Sequence, residues 1–124
     1  MKSPFHAPIA EQIWDAKYRF KDADGTPIDI TVEDSWRRIA KALASAEGDN
    51  LAPMVEEQFY EALEDFRFLT AGRITAGAGT GRMVTLFNCY VMGTIPDSLN
   101  GIFDMLKEAA LTMQQGGGIG YDFS

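Results

Sequence analysis

The residue types best suited to chemistry lie in the second half of the sequence. Cys89 is the only cysteine, and it follows Asn88 inside an apolar and aromatic run. A Gly-rich segment at 116–120 comes later, and a helix-like segment starting near Asp97 separates the two. Glycine lets a ligand approach the backbone closely because it has no side chain. A thiol near such a loop favours redox chemistry beside a bound nucleotide.

Each of these features also has a plain structural interpretation. Cys89 has apolar neighbours, and free cysteines are commonly buried as small hydrophobes. A glycine that ends a helix and makes a turn explains one residue of 116–118 more easily than three. Asp97 and Ser98 could cap a helix, or they could hold an anion or a sugar hydroxyl at its positive end. The residue types alone leave these alternatives open.

Composition excludes several classes of function. The net charge of −7 argues against a broad nucleic-acid or anionic-membrane surface, which needs clustered Lys and Arg. A single cysteine excludes an internal disulfide, and one histidine without a partner cluster predicts no metal site. No apolar run approaches the ~18 residues of a membrane span, and the N-terminus lacks the apolar core of a signal peptide. We therefore expect a cytoplasmic protein.

The first half, residues 1–70, predicts a helical region with one small hairpin. Asp24-Gly25 favours a tight turn between two short extended pieces. A capping-box pattern at 31–34 begins a helix that ends near residue 46. Pro53 is placed for the first turn of another helix, which is predicted to end near Leu69.

The second half, residues 71–124, predicts loops followed by a strand, a helix and a second strand. The dense apolar run Met83–Met92 is typical of a buried strand. Gly116 is placed to end the helix in the left-handed region, and 119–123 is predicted to form a second strand, parallel to the first. The helix is capped by Asp97 or Ser98, and its expected apolar face consists of Leu99, Ile102, Phe103, Leu106, Ala110 and Met113.

The predicted fold class is α+β and mainly α-helical, with both halves in one compact unit. Two parallel strands and one connecting helix cannot close a sheet. We therefore expect further chain, or a partner, to complete it.

Six segments form one ordered set of motifs: 13–19, 33–38, 72–74, 82–91, 97–99 and 112–124. This set resembles the N-terminal part of the adenosylcobalamin-dependent, class II ribonucleotide reductases and covers nearly the whole chain. Motifs of this length and order are more specific than any single glycine loop. The resemblance implies an N-terminal helical region followed by the first strand-helix-strand unit of a ten-stranded α/β barrel, which is incomplete here.

The resemblance also implies roles for particular residues. In that family a cysteine on the first barrel strand is one of two thiols that reduce the ribonucleotide, and Cys89 matches it. Positions that contact substrate are matched by Asn88, Cys89, Gly117 and Gly118. The helix start that binds an allosteric deoxynucleotide is matched by Asp97, Ser98 and Leu99.

The implied activity is radical conversion of ribonucleotides to deoxyribonucleotides, with adenosylcobalamin as cofactor and a thioredoxin-like reductant as partner. The family needs further cysteines, including one that becomes a thiyl radical, and this chain has none besides Cys89. We therefore expect an N-terminal portion, either an expressed fragment or a short reading frame, that is inactive alone and works with the remaining barrel or a second chain. The cobalamin surface is not identifiable in the sequence.

Two functions of other classes remain as alternatives. One is a stand-alone regulatory domain that keeps the deoxynucleotide site at 97–99 without catalysis. The other is a structural helical domain that self-associates into a homo-oligomer through the apolar run Met83–Met92.

Overall fold

The computed structural model describes residues 4–124, which fall into two units. The first unit ends at Gly81, and the second runs from Arg82 to Ser124. The sequence predicted one compact unit with an internal boundary after residue 70. That division stays a prediction; in the structure Arg38 hydrogen-bonds to backbone carbonyls within 71–81, as described below.

The first unit is helical. Its elements are α1 (Pro8–Ile13), a π-helical turn (Trp14–Tyr18), α2 (Val32–Ala44), α3 (Ala52–Leu63), a 3-10 turn (Glu64–Phe66) and α4 (Gly72–Gly77). Its core contains Trp14, Val32, Trp36, Ile39, Ala40, Leu63 and Ala78.

The capping box predicted at the start of α2 is confirmed. The hydroxyl of Thr31 accepts a hydrogen bond from the Asp34 backbone N–H at 3.4 Å, and the Asp34 carboxylate accepts one from the Thr31 N–H at 2.8 Å. These bonds satisfy donors that the first helical turn leaves without partners.

The hairpin is smaller than predicted. It contains one antiparallel bridge, between Lys21 and Pro27. Within its turn the Asp22 carboxylate accepts hydrogen bonds from the backbone N–H groups of Asp24 and Thr26, at 3.0 and 2.8 Å. Such side-chain bonds compete with a strand ladder for the same donors, which keeps the hairpin short.

α3 ends at Leu63 and not near Leu69. Asp65 and Phe66 have φ angles of 56° and 57°, in the left-handed region that ends a right-handed helix. The Phe66 ring lies 5.4 Å from the Phe5 ring and 5.1 Å from the Trp36 ring. Packing of this aromatic side chain in the core offsets the backbone strain and overrides the helical pattern.

α4 replaces a predicted loop. Its Gly and Thr content favours a loop, but the Arg38 guanidinium donates to the carbonyls of Thr75 and Ala78 at 3.1 and 2.6 Å. Carbonyls in the last turn of a helix need such donors. Gly79 follows with φ +73°, and a Cβ there would lie 2.9 Å from Arg38 Cγ.

A buried ion pair links the elements of the first unit. The Asp29 carboxylate accepts from Arg38 Nη2 at 3.0 Å, from the Ser35 hydroxyl at 2.6 Å and from the Phe20 N–H at 3.2 Å. Ser35 in turn accepts from Trp14 Nε1 at 3.1 Å. One carboxylate therefore connects the hairpin, α2 and the π-helical turn.

The second unit is the predicted strand-helix-strand arrangement. It consists of β1 (Cys89–Thr94), α5 (Leu99–Gln114) and β2 (Gly118–Asp122), and the two strands are parallel. Cys89 pairs with Gly118, Tyr90 with Ile119 and Val91 with Gly120, with an irregularity before Thr94 pairs with Asp122.

Two details of the second unit differ from the prediction. The segment 83–88 is irregular because the ladder with β2 begins only at Cys89. On α5 the buried residues are Met105 and Ala109, whereas the expected apolar face is exposed, with Phe103 61% accessible. Within this unit the strands cover only a narrow strip of the helix.

No helix among residues 4–124 is both long enough and apolar enough to cross a membrane.

Candidate functional site

The parallel strand pairing brings Asn88, Cys89 and Gly118 together. Cys89 is the first residue of β1, and it lies opposite Gly118, the first residue of β2. The Asn88 carbonyl accepts a hydrogen bond from the Gly118 N–H at 2.8 Å. The thiol of Cys89 is exposed. The exposed thiol of Cys89 and the glycine loop thus lie at the same end of the two-stranded sheet.

Gly117 is buried, and its neighbours explain why it has no side chain. A Cβ at this position would lie 2.6 Å from the Tyr90 ring and 3.0 Å from Thr112 Cγ2. The glycine loop and the Tyr90 ring on β1 therefore pack directly against each other. Contact of Gly117 with a substrate stays a prediction, because the space beside it on this side is occupied by Tyr90.

Gly116 makes the turn that leads from α5 into β2. It has φ +90°, as predicted for the residue that ends the helix. Its N–H donates to the Met113 carbonyl at 2.9 Å, and the Gly117 N–H donates to the Thr112 carbonyl at 3.1 Å.

Thr85 was not singled out in the sequence, yet it holds this edge together. It is buried, and its N–H donates to the Gln115 carbonyl at 3.0 Å. Its hydroxyl accepts from the Phe87 N–H at 3.1 Å and is hydrogen-bonded to the Tyr90 hydroxyl. A hydroxyl within an apolar run was the available signal, because a buried hydroxyl needs a partner.

The residues predicted to bind an effector lie at the other end of the strands. Ser98 is the N-cap of α5, and its hydroxyl accepts from the Gly101 N–H at 3.1 Å. Asp97 and Leu99 are exposed. α5 starts after the C-terminal end of β1. The five residue steps from Cys89 to Thr94 span about 16 Å between Cα atoms, at the usual rise of a strand. The structure therefore places 97–99 away from Cys89.

Asp122, at the end of β2 opposite Thr94, has a carboxyl group with a lowered pKa. It accepts hydrogen bonds from the backbone N–H and hydroxyl of Ser124, at 2.9 and 2.7 Å, and from the Thr94 hydroxyl at 2.9 Å. These donors, the Ser124 N–H first, hold the pKa of the Asp122 carboxyl below its ordinary value. The bond to Thr94 ties the two strands together.

An apolar cleft of about 500 Å³ lies in the first unit. Aromatic rings of Phe5, Trp14, Trp36 and Phe66 line it, together with His6. None of the predicted site residues lies in this cleft. No group of three or more His, Cys, Asp or Glu side chains in the described part of the chain could hold a metal ion.

Comparison with known proteins places the chain in a family. The family model of the ribonucleotide reductase all-alpha domain matches residues 5–83, and that of the ribonucleotide reductase barrel domain matches residues 87–124. The boundary between the two matches falls close to the boundary between the two units.

Three curated relatives illustrate the similarity. The ribonucleoside-diphosphate reductase subunit alpha of Helicobacter pylori is 39% identical over 108 residues, which cover 87% of this chain and 13% of the relative. The vitamin B12-dependent ribonucleoside-diphosphate reductase of Mycobacterium tuberculosis is 35% identical over 112 residues, which cover 87% of this chain and 16% of that relative. The ribonucleoside-diphosphate reductase large subunit of vaccinia virus is 37% identical over 65 residues, which cover 52% of this chain and 8% of that relative.

The chain thus spans 16% or less of the length of these relatives. Both domain matches lie in the order that the helical unit and the strand-helix-strand unit follow along the chain. This chain belongs to the ribonucleotide reductase family and contains sequence of its all-alpha domain and of its barrel domain.

Proposed function

We propose that this chain forms part of the large subunit of a ribonucleotide reductase, which converts ribonucleotides to deoxyribonucleotides, and that Cys89 is one of its reducing thiols. The pairing of Cys89 with Gly118 carries the proposal. It sets an exposed thiol beside a glycine loop at the edge of the sheet. A second thiol from elsewhere in the enzyme completes the pair, and a thioredoxin-like reductant reopens the resulting disulfide.

The substrate is proposed to lie against Asn88, Cys89 and the glycine loop. The N–H groups of Gly117 and Gly118 already donate to the Thr112 and Asn88 carbonyls. The Asn88 side-chain amide offers both a donor and an acceptor for a ribose or a base. Gly118 is exposed, and a Cβ there would lie 3.2 Å from the Asn88 backbone oxygen, so glycine lets the loop backbone lie close to Asn88 and Cys89.

The effector deoxynucleotide is proposed to bind at Asp97, Ser98 and Leu99. The first turn of a helix carries partial positive charge and N–H donors that suit a phosphate. The Asp97 carboxylate can accept hydrogen bonds from a sugar hydroxyl. The distance along β1 keeps this site separate from the thiol, as binding of a regulatory ligand requires.

Adenosylcobalamin is proposed as the cofactor of the whole enzyme. Similarity to the mycobacterial relative, which is B12-dependent by name, supports it. The Helicobacter relative is named a subunit alpha without mention of B12, and it resembles this chain at least as strongly. We assign no residue among 4–124 to cobalamin and derive no step through it.

A chimera tests the reducing role of Cys89. The matching segment of the mycobacterial relative, which is B12-dependent by name, is replaced by this chain, and ribonucleoside diphosphate reduction is measured with a dithiol reductant and adenosylcobalamin. We expect activity in the parent chimera and loss of turnover in Cys89→Ser. Thr94→Val, at the far end of the same strand, is the control and should remain active. Full turnover in Cys89→Ser would refute the proposed role.

A further inference from the structure

Thr85 connects the segment before β1 to the glycine loop. It is 9% exposed, and its backbone N–H donates to the Gln115 carbonyl at 3.0 Å. Its hydroxyl is hydrogen-bonded to the hydroxyl of Tyr90 and accepts a hydrogen bond from the N–H of Phe87. Both the main chain and the side chain of Thr85 therefore make hydrogen bonds that hold these segments together.

Tyr90 connects the same two segments through its ring. A Cβ on Gly117 would lie 2.6 Å from Tyr90 Cε2, so the ring rests against the bare backbone of the loop. Thr112 Cγ2 lies on the same side of Gly117, at 3.0 Å from that Cβ position. The loop therefore cannot move toward β1 without displacing the ring.

We propose that Thr85 and Tyr90 are positioning residues that hold the glycine loop 115–118 at a fixed distance from Asn88 and Cys89. The statement about substrate rests on the function proposed above, because it assumes that the ribonucleotide lies between this loop and the thiol. Neither residue touches the reacting atoms. Thr85 fixes the entry of the loop at Gln115, and Tyr90 fixes its middle at Gly117.

The contacts explain why the residue types matter. Valine has nearly the shape of threonine but no hydroxyl, so Thr85→Val leaves the Tyr90 hydroxyl without this partner. Phenylalanine at position 90 keeps the ring against Gly117 and loses only the hydrogen bond. Serine at position 85 keeps the hydroxyl, and it should restore the behaviour of the unmodified chain.

Amide hydrogen exchange in the intact chain tests the proposal without any nucleotide. The probe is the Gly118 N–H, which donates to the Asn88 carbonyl at 2.8 Å. Loss of one net hydrogen bond should speed its exchange about tenfold in Thr85→Val and in Tyr90→Phe. Thr85→Ser should exchange at the unmodified rate.

Thr94→Val is the matched control. It removes another hydroxyl bond of the same strand pair, from Thr94 to Asp122 at 2.9 Å, at the opposite end. Gly118 exchange should remain unchanged in it. Unchanged exchange in Thr85→Val and Tyr90→Phe would overturn the proposal, and so would equal acceleration in Thr94→Val, which would indicate opening of the whole unit. If Thr85→Val does not fold, Tyr90→Phe alone decides.

The chimera described above tests the link to substrate. Thr85→Val should raise KM for the ribonucleoside diphosphate about tenfold with a smaller change in kcat, and Thr85→Ser should restore it. An unchanged KM overturns substrate positioning. Failure of the proposed function is a separate result, since it appears as turnover that persists in Cys89→Ser.

Discussion

At the scale of single residues, Gly117 and Gly120 make a matched pair in β2 and the loop before it. A Cβ on Gly117 would meet the Tyr90 ring at 2.6 Å, whereas nothing lies within 4 Å of one on Gly120. We expect Gly117→Ala to destabilise the second unit by about 1–3 kcal/mol through overpacking. Gly120→Ala should change stability by less than about 0.5 kcal/mol.

NMR-detected urea unfolding, followed at β1 and β2 amides, checks this pair. Tryptophan fluorescence would not report it, because the tryptophans, Trp14 and Trp36, belong to the first unit. Equal effects of the two substitutions would show that the ring does not pack against the loop.

Asp15 gives the first unit a dependence on pH. Its carboxylate accepts from Arg19 at 2.9 Å and pairs with Lys21 at 3.1 Å. These two partners, Arg19 first, lower the pKa of the Asp15 carboxyl from its ordinary value of 3.8. The stability that the ionised Asp15 gains from these partners is therefore present above pH 3.8, and it is lost as the pH falls through the lowered pKa.

An NMR titration of the Asp15 carboxyl should show the lowered midpoint, and Asp15→Asn should remove the matching loss of stability in acid. Arg19→Gln is the paired variant, and it should return the midpoint of Asp15 toward 3.8. A midpoint at the ordinary value in the unmodified chain would contradict the expectation.

At the scale of elements, the Asp29 to Arg38 pair holds α2, α4 and the hairpin in one unit. The two side chains are 4% and 8% exposed, and Arg38 also donates to the Thr75 and Ala78 carbonyls. Asp29→Ala leaves a buried guanidinium without its carboxylate. We expect it to cost about 3–5 kcal/mol.

Urea unfolding followed by tryptophan fluorescence measures this cost. Glu57→Ala is the control, because it breaks an ion pair with Arg37 in which the side chains are 57% and 40% exposed. Exposed pairs contribute below about 1 kcal/mol. A loss in Asp29→Ala no larger than that of Glu57→Ala would show that the buried pair does not organise the unit.

The same elements show how far the sequence could predict the structure. Local signals predicted the capping box of α2, the start of α5 at Asp97 or Ser98 and the turn at Gly116, because each depends on neighbouring residues. α4 could not be predicted this way, since its carbonyls depend on Arg38, which is distant in sequence. The start of β1 at Cys89 depends on its pairing with β2, and 83–88 looked equally strand-like.

The candidate site divides in the same way. Cys89, Asn88 and the glycines were visible as motifs, and the parallel pairing that joins them followed from the strand-helix-strand order. Thr85 was not visible, because its role depends on contacts with Gln115 and Tyr90 that only the fold creates.

At the scale of the whole molecule, charge and apolar exposure act in opposite directions. The chain carries a net charge of −7, which disfavours contact between copies. The second unit nevertheless exposes large apolar side chains on α5 and on β1, with Val91 fully accessible. Large apolar side chains left exposed along one face of a helix are typical of an interface.

We therefore expect the chain alone to self-associate through α5, and more strongly when salt screens its charge. Light scattering across a concentration series at about 0.05 and 0.5 M salt should show the rise in mass. Leu106→Asp places a charge on the exposed apolar face, where Leu106 is 50% accessible, and should reduce association about tenfold. Asn100→Asp adds the same charge at an exposed polar position of α5 and should have a much smaller effect. A monomer at every concentration and salt, or equal effects of the two substitutions, would exclude this face as the contact.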